Sequence, residues 1–139
     1  MKYLKLFEEY INEALSIGQI EKVIKKVYPK IVKDLGGSVK PVEVHANMWD
    51  RIGAVGAEDL KREQGNPQAQ YEPSDDIIYI YSETTNNLEQ IIRSLLHEHT
   101  HTLQDQKEFQ KLYDKGYSYI NHPFELAALE SEKNWKNYK

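Results

Sequence analysis

The sequence predicts an α+β domain in which helices flank a small mixed sheet. Three observations carry that expectation. Apolar residues recur at three- and four-residue steps in an early and a central segment. Between them lies a compact run of β-branched and aromatic residues, Asp76–Tyr81 (DIIYIY), bounded by turn formers. The resulting order, helix, helix, strands, helix, helix, keeps the two kinds of element apart. A length of 139 residues with 40% hydrophobic and 29% charged content suits one such domain.

Each element has its own local reason. Residues 3–15 read as an amphipathic helix, because Leu4, Phe7, Ile11, Ala14 and Leu15 share one face. Glu8, Glu9 and Glu13 interrupt that stretch, so it is not a secretory signal. We treat 1–15 as a separate N-terminal segment and 16–139 as the domain. Ser16 and Gln19 form a capping-box pattern that opens a second helix. Ile17, Ile20, Val23/Ile24, Val27, Ile31 and Leu35 give it an apolar face, Pro29 is expected to kink it, and Gly36-Gly37 end it. Residues 38–45 suggest a strand, with Pro41 favouring a sheet edge. Residues 46–66 show no clean period, and Gln68–Tyr71 is a short possible strand. Asn86, with Glu89 three residues on, is the expected cap of the longest helix, which runs to about Gln106. A last helix starts at Pro123 and runs towards Trp135.

Composition narrows the chemistry. With no Cys, disulfide scaffolds, thiolate nucleophiles and Cys-based metal sites are excluded. No apolar run approaches the roughly 18 residues of a membrane span. The net charge of −4 argues against broad nucleic-acid binding. That charge is uneven: residues 1–40 carry eight Lys and five acids, and the remainder is acidic. A metal site here must be built from His and carboxylates, which directs attention to the five His.

Three of them fall within His97-Glu98-His99-Thr100-His101, a match to H-E-x-x-H. At about 100° per residue, His97 and His101 lie about 40° apart on a helix and reach one ion. Glu98 lies about 60° from His101, close enough to meet a water at that ion without ligating it. At this chain's composition the motif should occur by chance only about 0.02 times. The expected apolar stripe of the same helix is Leu88, Ile91, Ile92, Leu95, Leu96 and Leu103, with His97, His101 and Gln104 opposite it. His99 lies within the stripe, about 160° from His101, and reads as a core or supporting histidine. Catalytic zinc takes three protein ligands. The third is open among Glu125, Glu130, His122 and Asp114, and at most one of Glu125 and Glu130 faces the metal.

The pattern H-E-x-x-H-x-x-Q (His97–Gln104) followed by P-x-E-x-x-A (Pro123–Ala128) resembles small gluzincin-type metallopeptidases. Gln104 and Lys107 stand where the metzincin extension needs Gly and His. The resemblance covers residues 76–130. It implies a minimal zincin-like fold, a zinc cofactor, Glu125 as third ligand and Glu98 as general base on a peptide or protein substrate. It further implies a Tyr that stabilises the oxyanion, for which Tyr117 and Tyr119 are the candidates. It also implies an edge strand near Gln68–Tyr71 that pairs with an extended peptide. Such sequences often carry a second Glu two positions past the third ligand; here that position is Ala127.

Met1–Leu15 (MKYLKLFEEYINEAL) resembles the capsid-targeting leader of internal head proteins in large tailed bacteriophages. Those leaders are cut after Leu/Ile-x-Glu, which Ile11-Asn12-Glu13 fits. The resemblance implies prohead-protease processing after Glu13 and residence in the phage capsid interior or the host cytoplasm. The plainer reading is an amphipathic helix docked on the domain. Two rival functions stand beside the peptidase: a virion structural or host-binding protein with a structural or vestigial metal site, and a metal hydrolase acting on cell-wall material.

Overall fold

The computed structural model describes residues 14–139. Most of the expected helix over 3–15, and the processing position at Glu13, lie outside the described residues. Ala14 and Leu15 are not helical, and the Leu15 N–H donates to the Asn86 carbonyl at 2.8 Å.

Helix α1 spans Ile17–Leu35. Ser16 accepts the Gln19 N–H at 3.2 Å, and the Gln19 side chain accepts the Ser16 N–H at 2.9 Å, so both first-turn donors are satisfied. The helix continues through Pro29 and buries Ile20, Ile24, Val27, Tyr28, Ile31 and Val32. Gly36 and Gly37 then take φ of +89° and +81°, a left-handed turn that side-chain-bearing residues resist. A Cβ at Gly37 would stand 2.5 Å from Leu103 Cδ2, the end of a half-exposed side chain that would have to shift.

Strand β1 is Val42–His45, followed by two short helices, α2 (Met48–Arg51) and α3 (Ala57–Gln64), in the stretch that showed no period. Strands β2 (Ala69–Glu72) and β3 (Ile77–Tyr81) complete a sheet of order β1-β3-β2. β1 runs parallel to β3, with Val42 opposite Ile78, and β2 runs antiparallel, with Tyr71 opposite Ile78. β3 is thus central, and both weaker strands are edges. Alternation along β3 sends Ile78 and Ile80 into the core with α1. Tyr81 turns the other way, where its hydroxyl donates to Gln70 at 2.7 Å and accepts from Arg51 Nε at 2.8 Å.

Helix α4, Leu88–Thr102, carries the motif. Its cap is Asn87, not Asn86: Asn87 accepts the Gln90 N–H, and Gln90 reaches back to the Asn86 N–H. The capping pair is therefore displaced by one residue, because Gln90 serves where Glu89 was expected. Glu89 instead pairs with Arg93. The helix stops at Thr102 rather than about Gln106. Asp105 accepts the N–H groups of Lys107 and Glu108 and starts a separate helix, α5 (Gln106–Asp114). Ile91, Ile92, Leu95 and Leu96 are buried, whereas Leu88 and Leu103, expected in the stripe, are 40% and 45% exposed. Helix α6, Pro123–Glu132, follows, and a 3₁₀ turn, Trp135–Tyr138, closes the chain against α1 through Tyr138 and Asp34. Among the described residues, no helix is long and apolar enough to cross a membrane.

Candidate metal centre

One face of α4 is buried without being apolar. His97, Glu98 and His101 are each at least nine-tenths buried, and their potential ligand atoms lie within 4.8 Å of one another. Glu125, in the first turn of α6, completes the group. Its Oε2 stands 3.1 Å from His97 Nε2 and its Oε1 3.2 Å from His101 Nε2. One carboxylate therefore spans two imidazoles on a different helix.

The outer nitrogens decide which atoms the imidazoles offer. His101 Nδ1 lies 2.7 Å from Gln104 Oε1. The orientation of that amide is set by its other end, which donates to the Phe124 carbonyl at 2.9 Å. Gln104 thus presents an acceptor, His101 Nδ1 carries the hydrogen, and Nε2 of the neutral ring keeps a lone pair facing Glu125. His97 repeats the pattern with Glu132, whose Oε2 accepts from Nδ1 at 2.7 Å. Arg93 stands 3.9 Å from the second Glu132 oxygen.

The local charge is lopsided. Burial would lower the pKa of His97, but hydrogen bonds to Glu125 and Glu132 and the charge of Glu98 push it up to about 10. His101 is raised by Glu125, Glu98 and Gln104 against the same burial. Glu125 is brought down to about 2: burial opposes ionisation, and the two imidazoles outweigh it. Glu98 goes the other way, raised by burial despite the neighbouring imidazoles. Carboxylates around two imidazoles demand positive charge, which two protons or one divalent cation can supply. Two imidazole Nε2 atoms and a carboxylate, oriented from behind and open on one side, fit zinc in ligand type and number.

The open side is a cleft of about 860 Å³ between α4, α6 and strand β2. Gln68 accepts the Tyr81 N–H at 3.0 Å, so by antiparallel alternation Gln70 and Glu72 bond β3 while Ala69 and Tyr71 turn their backbone groups outward. The Tyr71 N–H accordingly faces towards the Glu98 carboxylate and favours its charged form.

The other expected residues divide. Tyr119 lines the cleft, and its hydroxyl pKa is raised by partial burial and by Glu125, Glu98 and Glu132. Tyr117 does not line it; its ring lies 6.4 Å from that of His122. Glu130 is solvent-facing and pairs with Lys133 at 2.7 Å. Asp114 accepts from Gln110. His122 is fully buried, accepting the Phe124 N–H at 3.1 Å and standing 2.9 Å from the Phe109 carbonyl, so it caps α6. Glu132 escaped the sequence reading, although its seven-residue spacing from Glu125 sets both on one helix face. The chain matches no protein-family model, no curated protein and no solved structure. Its chemistry is therefore read from the geometry of this cleft.

Proposed function

We propose that the chain is a zinc-dependent metallopeptidase of the gluzincin type, with His97, His101 and Glu125 holding the metal and Glu98 as general base. One observation carries the reading. Both Nε2 atoms meet a single carboxylate at 3.1 and 3.2 Å, while both Nδ1 atoms are occupied from behind. Zinc held there supplies Lewis acidity, which brings the pKa of a coordinated water to about 7.

The protein's own groups do the rest. Glu98, beside the Tyr71 N–H, takes a proton from water at its carboxylate and returns it to the leaving amine. The Tyr119 hydroxyl, at the cleft wall, donates to the oxygen that gains charge. The outward groups of Ala69 and the Tyr71 carbonyl offer an extended peptide backbone its hydrogen bonds, which supports a peptide substrate. The leader-like residues 1–15 support a capsid location with release after Glu13, and a virion-derived chain beginning at Ala14 by mass spectrometry is the expected product.

The test pairs metal analysis with hydrolysis of a broad peptide mixture. Wild type should hold one zinc and cleave. Glu98→Gln should keep the zinc and lose about 10²–10⁴-fold in rate. Wild-type hydrolysis by Glu98→Gln would sink the base assignment.

A further inference from the structure

Ser94 sits one turn before the motif on α4, on the same face as His97 and Glu98. It is only 6% exposed, yet its hydroxyl has no hydrogen-bond partner among the described residues. That is unusual for a helical hydroxyl, which ordinarily bonds a carbonyl of its own preceding turn. The neighbouring hydroxyls do so: Thr100 donates to the Leu96 carbonyl at 2.7 Å, Thr102 to that of His99 at 2.6 Å, and Ser131 to that of Ala128 at 2.8 Å.

The hydroxyl is not sealed in. Among the described residues, Asn66 Oδ1 is the one fully enclosed side-chain polar atom that lacks a partner. The Ser94 oxygen therefore keeps contact with open space, and the space that Ser94 borders is the cleft. A nearly buried, unpaired hydroxyl beside a binding cleft gains most from a ligand group that completes it.

The surrounding charge restricts that group. Among the described residues no Lys or Arg lines the cleft, whereas Glu72, Glu98, Glu125 and Glu132 do. An acidic side chain finds no counter-charge there. A basic one would be held by carboxylates rather than by a neutral hydroxyl. Ser94 lies roughly 5–6 Å along the helix axis from Glu98, within one residue of the bond that the water activated by Glu98 would attack. We infer that Ser94 is a specificity-determining residue whose hydroxyl binds an uncharged polar side chain, hydroxyl or carboxamide, next to the scissile peptide bond. This rests on the peptidase reading above and names the substrate class for it.

The test uses zinc-loaded Glu98→Gln protein, so that binding is read without turnover. Calorimetric titration compares peptides that differ at one position, Thr against Val and Asn against Leu, with the position walked along a common sequence. At one position Thr and Asn peptides should bind about three- to tenfold more tightly than their apolar partners. Adding Ser94→Ala, a substitution that favours helix, should bring the ratio to about one. Unchanged zinc content and melting temperature would show that this second substitution leaves the fold intact. A ratio near one with Ser94 in place, a ratio that survives Ser94→Ala, or no binding by any peptide overturns the inference. The peptidase reading fails separately. If zinc-loaded wild type hydrolyses none of these peptides while the Thr/Val ratio still depends on Ser94, the subsite stands and the assigned chemistry falls.

Discussion

Three histidines within five residues of one helix meet opposite fates, and their partners decide the difference. His97 and His101 face carboxylates: Glu125 spans both, and Glu132 backs His97. His99, on the far side of α4, bonds only neutral groups and has no carboxylate beside it; the nearby charge is that of Lys40. It stands 2.8 Å from the Gly36 carbonyl at Nε2 and 2.8 Å from the Tyr28 hydroxyl at Nδ1, and Tyr28 in turn accepts the Lys40 N–H at 3.2 Å. The first pair is pushed towards the charged form, whereas burial lowers the pKa of His99 and keeps it neutral. Burial is similar on the two faces. What separates a candidate metal ligand from a latch between helices is therefore the chemistry of the groups around the ring.

The contrast can be broken one side at a time. The largest effect should come from crossing His101→Ala with His99→Ala. The first should abolish measurable zinc binding while shifting the metal-free melting temperature less than the second does. The second should cost about 2–4 kcal/mol in denaturant unfolding, since it opens a cavity and strips a partner from the Gly36 carbonyl and the Tyr28 hydroxyl. Zinc affinity should be nearly retained in it. Equal stability losses would remove the distinction between the two faces.

A smaller effect is expected behind the metal face. Glu132→Ala leaves His97 Nδ1 without its acceptor and should weaken zinc about 10–100-fold in a competition titration. Unchanged affinity would make Glu132 a bystander.

The smallest concerns the bridge between the two faces. The Asp76 carboxylate accepts from the Tyr71 hydroxyl and from Lys40 Nζ, so it joins the strand beside Glu98 to the segment beside Tyr28. The Tyr71 hydroxyl and Lys40 hold its pKa below the usual 3.8. A depressed carboxylate stabilises the fold above its unfolded pKa, and that contribution is lost as pH falls through the lower native value. Asp76→Asn should therefore be destabilising at neutral pH, with the difference from wild type shrinking below about pH 4. A difference that persists in acid would locate the effect away from the ionised carboxylate.

Local chemistry made much of this legible in the sequence. The Ser16–Gln19 cap, the DIIYIY strand and the relative angles of His97, His99 and His101 follow from neighbours within four residues. What escaped depends on competition or on distance. Asp105 captured two backbone donors and split one expected helix into α4 and α5. Gln90 outcompeted Glu89 at the cap. Glu132 lies 35 residues from His97, and only the packing of α6 on α4 brings them together. Tyr117 and Tyr119 are indistinguishable by composition, and the turn before α6 places only Tyr119 at the cleft. The free hydroxyl of Ser94 is a property of what its neighbours fail to offer, which no local pattern records.

Zinc stoichiometry and affinity of wild type beside Glu125→Ala decide whether His97, His101 and Glu125 hold the metal together. One zinc per chain is expected in wild type, with a loss of more than about 100-fold in affinity on removing the carboxylate that spans His97 and His101, larger than an outer-partner substitution gives. Equal zinc affinity in the two proteins would contradict it.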